Sequence, residues 1–128
     1  MKRKILITGS ILGLTAVILG AFGAHGLKDS LTVEAVNSFE TGVRYQMYHS
    51  FLLLIVSSIL PLNTKSLNTI FYLVISGIIL FSGSIYLLST KALTGMDISA
   101  FAWITPIGGA LLISAWISIT YSLIKSAK

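Results

Sequence analysis

Residues 40–49, ETGVRYQMYH, gather a carboxylate, a guanidinium, two phenols and an imidazole within ten positions. At 100° per residue Glu40, Arg44 and Tyr48 fall in one row of a helix and Tyr45 and His49 in the next, so one half of that helix is polar and aromatic. Glu40 four residues ahead of Arg44 is the favoured order for an ion pair, and Arg44 can also stack on a tyrosine ring. A second imidazole, His25, stands in GAFGAHGLK, residues 20–28. Two readings suit this set. In one, Glu40, Arg44 and the tyrosines anchor a helix at the level of lipid headgroups. In the other, His25 faces Glu40, Arg44 and His49 across an outward-facing polar pocket. A metal centre fits less well, because two histidines and one glutamate already paired with Arg44 make a thin ligand set without HxxxH or HxxE spacing. The sequence therefore predicts no metal. Glycines 20, 23 and 26 leave little bulk around His25. They predict that His25 ties two helix ends together through a hydrogen bond to Glu40, Tyr45 or the backbone near Arg44.

The elements that position these residues follow from composition. Of 128 residues 55% are hydrophobic and 10% charged, and a mean hydropathy of +0.91 lies outside the range of a soluble domain. The chain reads as an integral membrane protein. With no cysteine, disulfide, thiol and thiolate chemistry are excluded. The net charge of +5 does not signal nucleic acid, since the basic residues are scattered or terminal with no aromatic groove between them.

Four apolar segments, about 5–24, 43–62, 67–88 and 98–124, each approach or exceed the roughly 20 residues that a helix needs to cross hydrocarbon. The expected fold is all-α, a single four-span transmembrane bundle covering residues 1–128. Between the first two spans, Leu31, Ala35, Phe39 and Val43 recur every four residues with Glu34, Asn37, Ser38 and Thr41 largely opposite. Residues 30–43 thus read as an amphipathic helix at the outer interface, with Thr32 as N-cap, running into the second span with a bend allowed at Gly42. Lys2, Arg3, Lys4, Lys65, Lys125 and Lys128 share one side, while Lys28, Arg44, Lys91 and the acids Asp29, Glu34, Glu40 and Asp97 share the other. The positive-inside rule then places both termini in the cytoplasm.

The first segment invites two misreadings. Its basic start and small residues resemble a secretory signal, but its apolar run exceeds the usual h-region. KILITGSILG resembles a dinucleotide-binding turn, but the apolar run continues through it and no βαβ unit follows. Small residues supply packing stripes: Gly9 and Gly13 form a GxxxG pair continued by Ala16, Gly20 and Ala24, and Ala110, Ser114 and Ser118 repeat the spacing in the last span. In TPIGG, Pro106 removes a helix hydrogen bond and Gly108 and Gly109 relax the backbone behind it. This predicts a kink in the fourth helix, or a short outer piece followed by the span.

No acidic residue lies deep in any span, so the carboxylate of a small proton-coupled exporter is missing, and no GxSxG or HExxH motif occurs. The residues predict no enzyme and no cofactor. They favour a small membrane protein that stabilises or modulates the membrane or a membrane complex through its helix faces. Its partners would be lipids, and another membrane protein or a second copy of the chain. The alternative is an oligomeric channel or transporter with a pocket around Arg44 and His49; lipid or quinone held against Tyr45 and Tyr48 is a third reading.

GAFGAHGL, FETGVRYQMYH, GSIYLL and TPIGG, in this order, resemble the bacterial domain of unknown function 423 family, small membrane proteins related to the transmembrane protein 256 family. The resemblance spans nearly the whole chain. It implies a four-helix, multi-pass protein of the bacterial inner membrane, supplies no catalytic assignment, and maps recurring motif residues onto His25, Glu40, Arg44, Tyr45, Tyr48, His49, Pro106 and Gly108.

Overall fold

A computed structural model describes residues 1–126; Lys128, one of the basic residues used for orientation, lies outside them. Four long helices carry the fold: α1 (Lys2–His25), α2 (Val33–Ser58), α3 (Thr64–Ser89) and α4 (Ile104–Ser126). Three helical stretches, Lys2–His25, Thr64–Ser89 and Ser99–Ser126, are long and apolar enough to cross a membrane. α2 is not among them, because it carries most of the chain's interior polar residues.

Thr32 caps α2, its hydroxyl accepting from the Ala35 amide at 3.1 Å, and Glu34 lies in the first turn where the helix dipole favours a negative charge. The amphipathic stretch is not a separate interfacial helix. It forms the first turns of α2, which runs unbroken through Gly42. Gly42 is needed for contact instead of bending: a Cβ there would lie 2.8 Å from the Tyr86 ring.

α1 and α2 run antiparallel along a seam of small residues. A Cβ on Gly9 would meet Leu54, Leu53 and the Ser50 carbonyl at 3.2–3.3 Å, one on Gly13 would lie 2.8 Å from Ser50 Oγ, and one on Gly23 2.9 Å from Phe39. A Cβ on Gly20 would meet Val43 only at 3.4 Å, and Ala16 is buried between. Ala24 is exposed, so the stripe follows Gly23 instead. The opposite face of α1, with Ile7, Ile11, Leu14, Val17, Ile18 and Phe22, is more than half exposed, as lipid contact requires.

α3 and α4 form the second antiparallel pair. α3 is α-helical over Thr64–Ile78, widens into a π-helical turn at Ile79–Gly83, and resumes over Ser84–Ser89. At the wide turn the two backbones touch: a Cβ on Gly108 would collide with the Phe81 amide nitrogen and the Leu80 carbonyl carbon, so only glycine fits. Gly109 has room. Pro106 does not kink a long helix. α4 begins at Ile104, after a 3-10 turn at Ser99–Phe101, and Pro106 sits in the first turn, where its missing N–H has no intrahelical acceptor to lose. This is the short outer piece followed by the span. The buried stripe of α4 is Gly108, Leu112, Ala115 and Ile119; Ala110 is exposed and Ser114 and Ser118 flank the stripe, so their four-residue repeat is not the packing seam. The α3–α4 connection turns at Gly95, whose φ of 72° suits glycine.

The apolar core gathers Ile5, Leu53, Val56, Leu67, Ile70, Phe71, Val74, Leu112, Ala115 and Ile119. These lie toward the end where α1 and α3 begin and α2 and α4 finish.

Candidate functional site

The other half of the molecule is held by polar groups. Gln46 is 5% exposed and joins three helices. Its Nε2 donates to the Leu12 carbonyl at 2.9 Å and to Thr15 Oγ1 at 2.7 Å, and its Oε1 accepts from the Tyr86 hydroxyl at 2.7 Å. Both amide hydrogens are used. Around it, Ser50 Oγ donates to the Gly9 carbonyl at 2.7 Å and Ser82 Oγ, on the π-helical turn, donates to the Gly42 carbonyl at 2.7 Å. Each bond crosses between helices where a glycine lets the backbones approach. Ser84 and Thr105 pair across α3 and α4.

His49, 3% exposed, closes the network on the α4 side. Trp116 Nε1 lies 3.2 Å from His49 Nε2, and His49 Nδ1 lies 2.7 Å from the Tyr45 carbonyl. An indole N–H only donates and a carbonyl only accepts, so this pair of contacts selects the Nδ1–H tautomer. The ring stacks on Tyr45 (centroids 6.4 Å, 17°) and meets Trp116 edge-on (6.2 Å, 77°), while Tyr45 also packs on Phe81 at 4.9 Å.

The predicted residues therefore separate. His49 turns inward. Arg44 is exposed, Tyr45 and Tyr48 are 40% and 54% exposed, and Glu40 is half-buried. The buried stripe of α2 runs through Phe39, Gly42, Gln46, His49, Ser50 and Leu53, and position 44 lies about 200° from both 42 and 46 at 100° per residue. Glu40 lines a cavity of about 340 Å³ with Lys28 and Asn37 at the α1–α2 turn. Among the described residues it forms no ion pair with Arg44. The pocket joining Arg44 and His49 is not formed, since the two side chains leave different faces of the helix.

His25 corrects a further expectation. It is exposed and makes no hydrogen bond to the 40–49 stretch. On α1 it stands two residues, about 200°, beyond Gly23 in the buried stripe, and the residue that tucks into the turn is Leu27, 1% exposed. No group of three His, Asp or Glu residues comes together to hold a metal among the described residues.

Gln46 lies inside ETGVRYQMYH but carries neither charge nor ring, so the chemistry of that motif points to the outer rows instead. A readable signal existed: Gln46 follows Gly42 by four positions and therefore shares the row that needs close contact.

Known proteins similar to this chain are membrane proteins. Residues 19–109 match the family described as "Protein of unknown function (DUF423)". The chain belongs to this family. It is 39% identical over 126 residues to a UPF0382 membrane protein of Haemophilus influenzae, covering 98% of each chain. It is 40% identical over 125 residues to UPF0382 membrane protein YwdK of Bacillus subtilis, covering 96% of this chain and 98% of the relative. No solved structure matches it. Within the family match fall Gln46, His49, Ser82, Tyr86, Thr105 and Gly108, so the polar network lies mainly in the shared region.

Proposed function

We propose that this member of the family is a non-enzymatic, multi-pass protein of the bacterial inner membrane that stabilises or modulates the bilayer or a membrane complex through its helix faces. The observation that carries the reading is the closed state of the polar centre. Gln46, Ser50, Ser82 and both nitrogens of His49 are bonded to protein partners. An imidazole committed on both sides and an amide with both hydrogens engaged hold helices together instead of awaiting a substrate. The outward surfaces of α1 and α4, rich in Ile, Leu, Val and Trp, are what such a protein offers to lipid and to neighbouring spans.

Four crossings with both termini in the cytoplasm complete the reading. α2 falls short in hydropathy alone, yet it lies against α1 from Phe39 beside Gly23 to Leu53 beside Gly9. A membrane crossed by α1 is therefore crossed by α2 as well, its polar groups hidden between helices. Cysteines placed at Lys2 and Lys65 should resist an impermeant thiol reagent on intact cells while one at Ser30 reacts; labelling at Lys65 but not at Ser30 reverses the orientation. The function itself is tested by reconstitution. Liposomes containing the protein should pass neither protons nor small anions faster than empty ones, and a reproducible flux of either makes it a channel or transporter.

A further inference from the structure

Where α3 begins and α4 finishes, the two helices part around a cavity of about 360 Å³. Lys65 and Lys125 line it, one from each helix, together with Ser66, Thr69, Tyr121 and Ser122. No carboxylate side chain is among the lining residues. The four acids, Asp29, Glu34, Glu40 and Asp97, all belong to the opposite end of the molecule. Ser122 Oγ donates to Ser66 Oγ at 3.1 Å across the pair. Asn63 Oδ1 takes the Ser66 amide at 2.8 Å, so the amides of Thr64 and Lys65 remain as helix-start donors without intrahelical acceptors. Two lysines, one from each helix, and a set of hydroxyls thus line one space beside the start of α3, with no acidic side chain among the described lining residues.

We propose that this cavity binds a phosphate group, and that the molecule bearing it is an anionic glycerophospholipid of the leaflet at that end. Phosphate chemistry follows from the donor set, since lysines supply charge and hydroxyls supply directed hydrogen bonds to several oxygens. A lipid source follows from the position. The lining descends α4 from Lys125 through Tyr121 to Ser118, about 10 Å along the axis at 1.5 Å per residue; Tyr121 is exposed, as are Ile117 and Ile124, the chain neighbours of Ser118 and Lys125. A headgroup held by the lysines would lay its acyl chains on that apolar face. The lysine-bearing end is also the one that the positive-inside rule assigns to the cytoplasm, where anionic lipids concentrate. Free phosphate shares the headgroup chemistry without the chains. The inference requires only that the chain is embedded in lipid, and it stands whether or not the protein conducts ions.

The test is thermal unfolding of the full chain in an uncharged detergent with added phosphatidylglycerol, phosphatidylcholine or inorganic phosphate. Phosphatidylglycerol should raise Tm by about 5 °C or more at saturation, the shift expected of a ligand well above its Kd, and phosphatidylcholine should leave it within about 1 °C. Lys65→Gln,Lys125→Gln should unfold at the wild-type temperature without lipid, both side chains being exposed, and should lose most of the phosphatidylglycerol shift. Arg3→Gln,Lys4→Gln, which removes the same charge from the same end away from the cavity, should keep it. Native mass spectrometry of the wild type gives a readout that needs no variant: one phosphatidylglycerol retained per chain and no phosphatidylcholine. A shift produced equally by inorganic phosphate and lost in the lysine variant upholds the phosphate site and makes its ligand a soluble anion. Equal responses to the two lipids, or a phosphatidylglycerol shift that survives loss of both lysines, overturns the proposal.

Discussion

The two halves of the molecule hold themselves together by different means. Toward the basic end, Ile5, Leu53, Val56, Ile70, Val74 and Ile119 pack side chain on side chain. Toward the other end, Gln46, Ser82, Tyr86, Ser84 and Thr105 bind helix to helix. In water the apolar half would dominate stability. In lipid it gains less, because acyl chains solvate leucine as well as another leucine does, and what remains is close packing. The polar half gains specificity instead, since hydrocarbon offers its hydrogen-bonding groups no alternative partner. Each interhelical hydrogen bond of the polar half therefore fixes the register of the helices it joins.

The point where both halves depend on the same contact is Gly108, so breaking it tests the whole arrangement. Gly108→Val places a side chain inside the backbone of Leu80 and Phe81, which cannot move without unwinding the π-helical turn. The expected cost is about 3 kcal/mol or more, read as loss of monodisperse protein in fluorescence-detected size exclusion. Gly109→Ala, whose Cβ would sit 3.7 Å from the Phe81 ring, should leave the profile unchanged.

Next in size is Leu53→Ala. Leu53 is fully buried in the apolar half, and a truncation of this type costs about 2 to 5 kcal/mol in a well-packed interior. A value near the lower bound, from unfolding in mixed micelles, would match the weaker contribution of apolar burial in lipid.

In the polar half, Gln46→Leu keeps the bulk but removes three interhelical hydrogen bonds and leaves the Tyr86 hydroxyl without its acceptor. About 1 to 3 kcal/mol should be lost. A double-mutant cycle with Tyr86→Phe should show a coupling of roughly 0.6 to 2 kcal/mol, and additive single effects would mean that the two side chains do not depend on each other.

Arg44→Ala should change stability by no more than about 0.5 kcal/mol, because the guanidinium is exposed and unpaired with Glu40. A large loss of folded protein, rescued by removing Glu40 as well, would restore the ion pair that the spacing 40–44 suggested.

The smallest effect concerns Asp97 in the exposed α3–α4 connection. The Ser99 hydroxyl and amide both donate to its carboxylate and hold its pKa below the ordinary range. A depressed folded pKa stabilises the turn above the unfolded value and is lost as pH falls through the folded one, so the turn should loosen only below about pH 4. Ser99→Ala should move the Asp97 titration, followed by NMR of the carboxyl carbon, upward toward the unperturbed value; an unmoved titration would remove the Ser99 contact from the account.

The sequence by itself determined that the chain is helical, apolar and built for lipid, because hydropathy and length are properties of segments and need no partner. The motifs GAFGAHGL, FETGVRYQMYH and TPIGG were likewise sufficient for the family, and the Thr32 cap was local enough to read directly. Tertiary structure decided which rows of α2 face inward. Helical spacing placed Glu40, Arg44 and Tyr48 in a single row without revealing that this row looks outward, or that Gln46 carries the interior bonds. It placed a histidine near a helix end without revealing that His25 points away from the seam. It placed a proline in an apolar run without revealing that the helix starts just before it. The partner surface supplies each of these answers: a glycine opposite a hydroxyl, a wide turn opposite Gly108, an indole N–H opposite an imidazole nitrogen. A polar side chain in a membrane protein goes where its hydrogen-bonding partner is, and those partners on other helices lie 31 to 40 positions away for Gln46 and 67 away for His49.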